Sequence, residues 1–159
     1  MVTAATLLLV AAGHLAGEVV RAAPNFSWET FNGRSATLAS VGRQPAVLIV
    51  APSPRSRVFK KQLKEVERLY RQYAGRGTLF FAAFTSETGT IQSDIPFLYV
   101  RDPATVAAGL GLADRGFLLA VIGPDRNLDL VSFQVTGGDR IRDVIDNSQT
   151  QQSVRRAGQ

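Results

Sequence analysis

Apolar residues change their spacing from one stretch of this chain to the next, and each spacing predicts a different element. Residues 46–50, AVLIV, form a continuous apolar run between Pro45 and Pro52. So short a run, rich in β-branched residues, predicts a strand covered on both faces, as in a parallel sheet. From 57 to 73 the spacing turns to three and four. Phe59, Leu63, Val66, Tyr70 and Tyr73 then share one helix face, which Gly75 and Gly77 end. Residues 78–84 predict another strand. Asp102-Pro103 opens a short helix, with Asp102 as cap and Pro103 in the first turn, and Gly109 and Gly111 finish it. Strands at 117–122 and 128–135 flank the turn GPDRN as a hairpin. Gly137-Gly138-Asp139 leads into a closing helix that reaches about Ser148 or beyond. Ahead of all these, FSWETFNGRSATL (26–38) reads as two short strands about an Asn32-Gly33 turn.

The order is therefore β-hairpin, β, α, β, a short β, α, β, β, α, with no internal repeat. A β-α-β unit followed by a hairpin and a closing helix gives an α/β fold, a mixed sheet with helices on both faces. Phe26, Trp28, Phe31, Phe80, Phe81 and Phe84 are expected in or near the core. Phe80-Phe81 puts one ring on each face of a covered sheet.

Length and composition narrow the chemistry. One domain is expected from 159 residues, and 45% apolar with 19% charged residues is ordinary for a globular chain. The chain has no cysteine. Disulfides, thiolate metal sites and thiol catalysis are excluded. Residues 2–12 are apolar and are followed by Gly13, His14 and small residues, like the h-region of a signal peptide with cuts near Gly13, Gly17 or Ala23. No Lys or Arg precedes the run, no Ala-x-Ala site follows it, and it is shorter than the ~20 residues a spanning helix needs. The expected organisation is a signal peptide at 1–23, a domain at 24–148 and a polar, basic tail at 149–159. The expected location is periplasmic or secreted, with no stable membrane insertion after cleavage. The alternative is anchoring by an uncleaved N-terminal segment. Loss of 1–23 removes Glu18, Arg21 and the single histidine, His14, and leaves the net charge at +5. Basic residues cluster at 55–76 and at Arg155-Arg156, with no phosphate loop or aromatic platform beside them. Nucleic acid is not expected as a partner; a protein is.

Several segments taken together resemble the thioredoxin fold, in its branch of peroxiredoxins and periplasmic thioredoxin-like reductases. They are APNFSWETFNGRSATLASVGRQPAVLIVA at the opening, ERLYRQYAGRG at the end of the first long helix, and IGPDRNL in the late hairpin. Within that superfamily the chain most resembles a cysteine-free, exported group with an Ala-Pro-Ser loop after the first core strand and a Gln/Arg-rich close, here IDNSQTQQSVRR. The resemblance covers about residues 23–148. It implies a three-layer α/β/α sandwich about a central mixed sheet, with an N-terminal β-hairpin extension. It also places Ser56 where a nucleophilic cysteine would stand and Phe59 where the resolving cysteine would stand. Gly116 or Phe117 takes the position of the cis-proline that faces the disulfide. A hydroxyl and a phenyl ring cannot exchange disulfides.

What the loop at 52–57 does instead is the open question. Ser56 is expected to cap the helix with its hydroxyl on a free amide. A helix start attracts anions, and Arg55, Arg57 and Arg115 are expected around it, with Asp114 beside Arg115. The other reading has Ser56 only capping and the arginines only solvated. Serine hydrolysis by Ser53 or Ser56 lacks a histidine base, and Lys60 and Lys61 should be exposed. Asp125 and Asp129 flank a turn without a His or Cys to complete a metal site. No cofactor, metal or catalytic residue is assigned. The expected function is a non-redox binding or assembly module with a protein partner; the alternative is an enzyme or receptor for a small anionic ligand held near Ser56.

Overall fold

The computed structural model describes residues 21–74 and 77–158. The expected leader, apart from Arg21 to Ala23, and Gly75 lie outside them. A five-stranded sheet holds β3 (Ala46–Ala51), β4 (Leu79–Phe84), β5 (Leu98–Tyr99), β6 (Leu118–Ile122) and β7 (Leu128–Ser132) in the order β5-β4-β3-β6-β7. β3 runs parallel to β4 and antiparallel to β6, so the sheet is mixed. All six residues of β3 are buried, which is why that run reads as unbroken apolar sequence. β1 (Ser27–Glu29) and β2 (Ser35–Thr37) form a separate hairpin.

Alternate side chains of β3 feed two cores. Val47, Ile49 and Ala51 pack with Phe59 and Val66 of α1 (Arg57–Ala74) and with Ile141 and Ile145 of α3 (Gly138–Ala157). Ala46, Leu48 and Val50 face Phe26 and Trp28 of the hairpin layer and Val106 of α2 (Pro103–Gly109). This is the expected three-layer sandwich. Trp28 and Phe81 meet edge-on with centroids 4.7 Å apart, fixing the hairpin against the sheet. Phe31 departs from the core expectation: it is 92% exposed. It stands at the tip beside the Asn32-Gly33 turn, beyond the reach of the sheet's faces. α3 continues to Ala157, so the polar close of the chain extends the helix.

Asp102 caps α2 as expected, its carboxylate accepting from the Thr105 amide at 3.4 Å and from the Thr105 hydroxyl at 2.7 Å. α1 is joined to the loop that enters α3 by a contact the periodicity did not show. Gln62, fully buried, donates from Nε2 to the Thr136 carbonyl and accepts the Thr136 amide on Oε1, each at 2.8 Å. Glu65 accepts the Gly138 amide at 3.1 Å at the start of α3.

Candidate functional site

β3 delivers the loop 52–56 to one end of the sheet, and the pairing of Ala51 with Phe84 and of Val50 with Leu118 brings two further loops there. The loop after β4 clamps the first. The Ser86 and Glu87 amides both donate to the Pro52 carbonyl at 3.0 Å, and the Thr85 amide donates to Ala51 at the same distance. A Cβ placed on Gly89 would lie 2.9 Å from the Pro54 ring, so the two loops are in close apposition. Arg55 reaches Glu87 at 3.9 Å, but the side chains are 84% and 63% exposed, so the pair contributes little.

Ser56 occupies the residue before α1, and its carbonyl accepts the Lys60 amide at 3.1 Å. Its hydroxyl does not cap the helix as expected. It donates instead to the Ser53 carbonyl at 2.8 Å, while Ser53 Oγ accepts the Arg55 amide at 3.2 Å. Two serines thus close a tight turn on themselves. Among the described residues no side chain caps the amides of Arg57, Val58 and Phe59. Arg57 is exposed and makes no ion pair among the described residues. With both hydroxyls committed to backbone and Lys60 and Lys61 exposed, no serine is paired with a base.

Phe59 is 1% exposed and stands edge-on to Phe84, with Phe97 tilted beside it at 6.4 Å. Phe117 is buried in the same core cluster. Gly116 before it takes a left-handed backbone with φ of 75°. No peptide bond among the described residues is cis. Arg115 does arrive at this end of the sheet, but its guanidinium lies 3.9 Å over the Phe133 ring. Among the described residues no hydrogen bond or ion pair joins it to Arg55, Ser56 or Arg57. Arg55, Ser56 and Arg57 are neighbours in sequence whose side chains take separate directions where they are placed, Arg55 to Glu87 and Ser56 to Ser53, and Arg115 stacks on Phe133.

Elsewhere, Asp125 accepts the amide and side-chain N–H of Asn127, the work of a turn residue. Among the described residues no group of three or more His, Cys, Asp or Glu could hold a metal ion. No helix among them is long and apolar enough to cross a membrane. A surface feature that the sequence did not announce is a groove of about 370 Å³ between the hairpin tip and β5. Phe31 and Tyr99, 92% and 41% exposed, share its wall with Thr30 and Leu98, and the Glu29–Arg101 ion pair closes one side at 3.2 Å.

The arrangement of these loops about a mixed sheet is that of a thioredoxin-like fold. A thiol:disulfide interchange protein from Bacteroides sp. superposes with a TM-score of 0.60 at 11% identity, over 79% of this chain and 86% of that one. A thioredoxin-like protein from Aeropyrum pernix gives 0.60 at 13%, over 77% and 89%. The peroxidoxin BcpB from Mycobacterium tuberculosis gives 0.55 at 19%, over 78% and 90%. At these identities the likeness is one of fold. No family model and no curated protein matches the chain.

Proposed function

We propose that this chain is an exported, non-redox thioredoxin-like module that binds or assembles with a protein partner. The observation that carries the reading is the fate of the two redox positions. Ser56 is tied to Ser53 within its own turn, and Phe59 is embedded in the core, so both places serve structure. A cysteine-free chain of this fold has no thiol to exchange. Binding is what such a scaffold still offers, and the groove beside Phe31 and Tyr99 supplies an apolar contact surface with aromatic anchors. Phe31 and Tyr99 line the same groove, so their rings contribute to one apolar patch and are not scattered singly.

The test pairs an assay with a capture. Purified protein should show no insulin reduction and no peroxidase turnover, with or without added thiol. Crosslinking in the native compartment should trap a protein partner that Phe31→Ser releases while the fold persists. Turnover above a boiled control would overturn the non-redox reading, and capture indifferent to Phe31→Ser would overturn the assigned surface. A second reading, an anionic ligand at the start of α1, is favoured by the uncapped amides of Arg57, Val58 and Phe59 beside two exposed arginines.

A further inference from the structure

We infer that Arg21, Ala22 and Ala23 belong to the folded domain, and that a leader is removed N-terminal to Arg21; this rests on the export reading above. The segment adds to the outer edge of the sheet. The Arg21 carbonyl accepts the Leu128 amide at 2.8 Å, the Ala23 amide donates to the Arg126 carbonyl at 2.9 Å, and Ala22 stands opposite Asn127 in an antiparallel bridge. The Arg21 guanidinium donates at 2.5 Å to the carbonyl of Gly109, the last residue of α2. A cation at a helix C-terminus satisfies a carbonyl that the helix itself leaves free. Pro24 closes the corner, 3.5 Å from where a Cβ on Gly109 would lie, and Ala23 packs against the core beneath the hairpin.

Of the small-residue positions that follow the apolar run, Ala23 lies inside this network, while Gly13 and Gly17 lie ahead of it. The step is peptide hydrolysis by a signal peptidase: water adds across one amide, releasing the leader's carboxylate and a new α-amino terminus. A cut after Ala23 would leave the Leu128 amide and the Arg126 carbonyl without these partners and α2 without its cation. Cuts after Gly13 or Gly17 keep every one of these bonds.

The test uses the full chain, expressed in a secreting bacterial host and read by intact mass and N-terminal sequencing. The first residue should fall between His14 and Arg21. Ala23→Pro, made in the same full chain, deletes the N–H given to Arg126. It should leave the processing position unchanged and lower the melting temperature by on the order of 3 °C. A mature chain beginning at Ala22, Ala23 or Pro24, or an unchanged melting temperature in Ala23→Pro, overturns the placement alone. An intact Met1 in a soluble cytoplasmic fraction overturns the export reading and the processing site with it.

Discussion

Phe59 stands edge-on to Phe84, ring centroids 5.1 Å apart at 76°, on the first turn of α1 where the thioredoxin-like resemblance places a resolving sulfur. The ring is 1% exposed and joins α1 to β4. Replacing it with a thiol therefore does two things at once. Ser56→Cys with Phe59→Cys should form a disulfide under mild oxidant, since one turn at a helix start is the geometry such bridges use. The double variant should also lose about 3 kcal/mol of stability through the cavity left by the phenyl ring. Thiol titration and chemical denaturation read the two effects separately. A variant that folds but stays reduced would show that Ser56 and Phe59 are not the positions assigned to them.

Gln62 is the polar residue on the buried face of α1, and both its bonds go to the backbone of Thr136. Gln62→Leu keeps the volume but leaves a buried N–H and C=O without partners. The cost should be about 2–4 kcal/mol, from about 1–3 kcal/mol for each abandoned group with partial relief by water. Gln62→Ala should let water in and cost less than the leucine variant. Urea denaturation distinguishes them, and equal losses would mean that packing alone holds this position.

Most of the sheet was legible because its strands are apolar runs of strand length bounded by Gly and Pro. α1 was legible from spacing, and α2 from its Asp-Pro start. Gln62 was not. A glutamine three residues after Phe59 and four before Val66 looks like an interruption of the face, when it is a bonded member of it. Phe31 failed for the opposite reason. Composition assigns a phenylalanine to the core, but its place beside Asn32-Gly33 puts it on a hairpin tip with nothing above it. The Ser56 turn depended on which backbone group its hydroxyl met, a choice between two neighbouring atoms that residue type leaves open. Loop positions alone group Arg115 with Arg55 and Arg57, but Phe133, unmarked in sequence, draws its guanidinium over the ring.

Gly138 lets α3 start against α1. A Cβ there would lie 2.5 Å from the Glu65 carbonyl oxygen and 2.7 Å from the Leu69 side chain. Backbone cannot retreat as a side-chain tip can. Gly138→Ala should cost about 1–3 kcal/mol despite alanine's better helix propensity. Gly42→Ala, which meets nothing within 4 Å, is the control and should be close to neutral. Thermal melts of the pair decide whether helix approach or glycine entropy governs Gly138.

Asp129 carries the one acid whose ionisation is disfavoured by its surroundings among the described residues with a resolved shift. Burial raises its pKa above the ordinary 3.8, the hydrogen bond with Ser148 pulls it back, and the Asp125 charge raises it again. A folded pKa above the unfolded one means that the folded state holds the proton longer. Stability from this group is therefore full below about pH 3.8 and declines as pH rises through the folded pKa. Asp129→Asn removes that decline. It should melt slightly higher than the parent at pH 7, with the difference vanishing below about pH 3.8. A variant that melts lower at pH 7 would show that the Ser148 bond outweighs the burial.

Among the described residues no side chain caps the amides of Arg57, Val58 and Phe59 at the start of α1, and the exposed Arg55 and Arg57 adjoin them in sequence. Such a terminus favours a dianion by on the order of 1 kcal/mol. Exposed arginines add little, and salt screens what they add. Phosphate should therefore bind with millimolar affinity, unless a larger ligand brings apolar contacts. An NMR titration at low salt should move the amides of 56–59 before any others. Arg55→Ala with Arg57→Ala should weaken those shifts without abolishing them and leave the melting temperature within about 1 °C, because exposed charges hold little stability. Arg115→Ala should leave the shifts intact, since that guanidinium is stacked on Phe133. If the amides of 56–59 stay still while those near Arg156 move, the anions prefer the end of α3. The loop after β3 then keeps only its packing role.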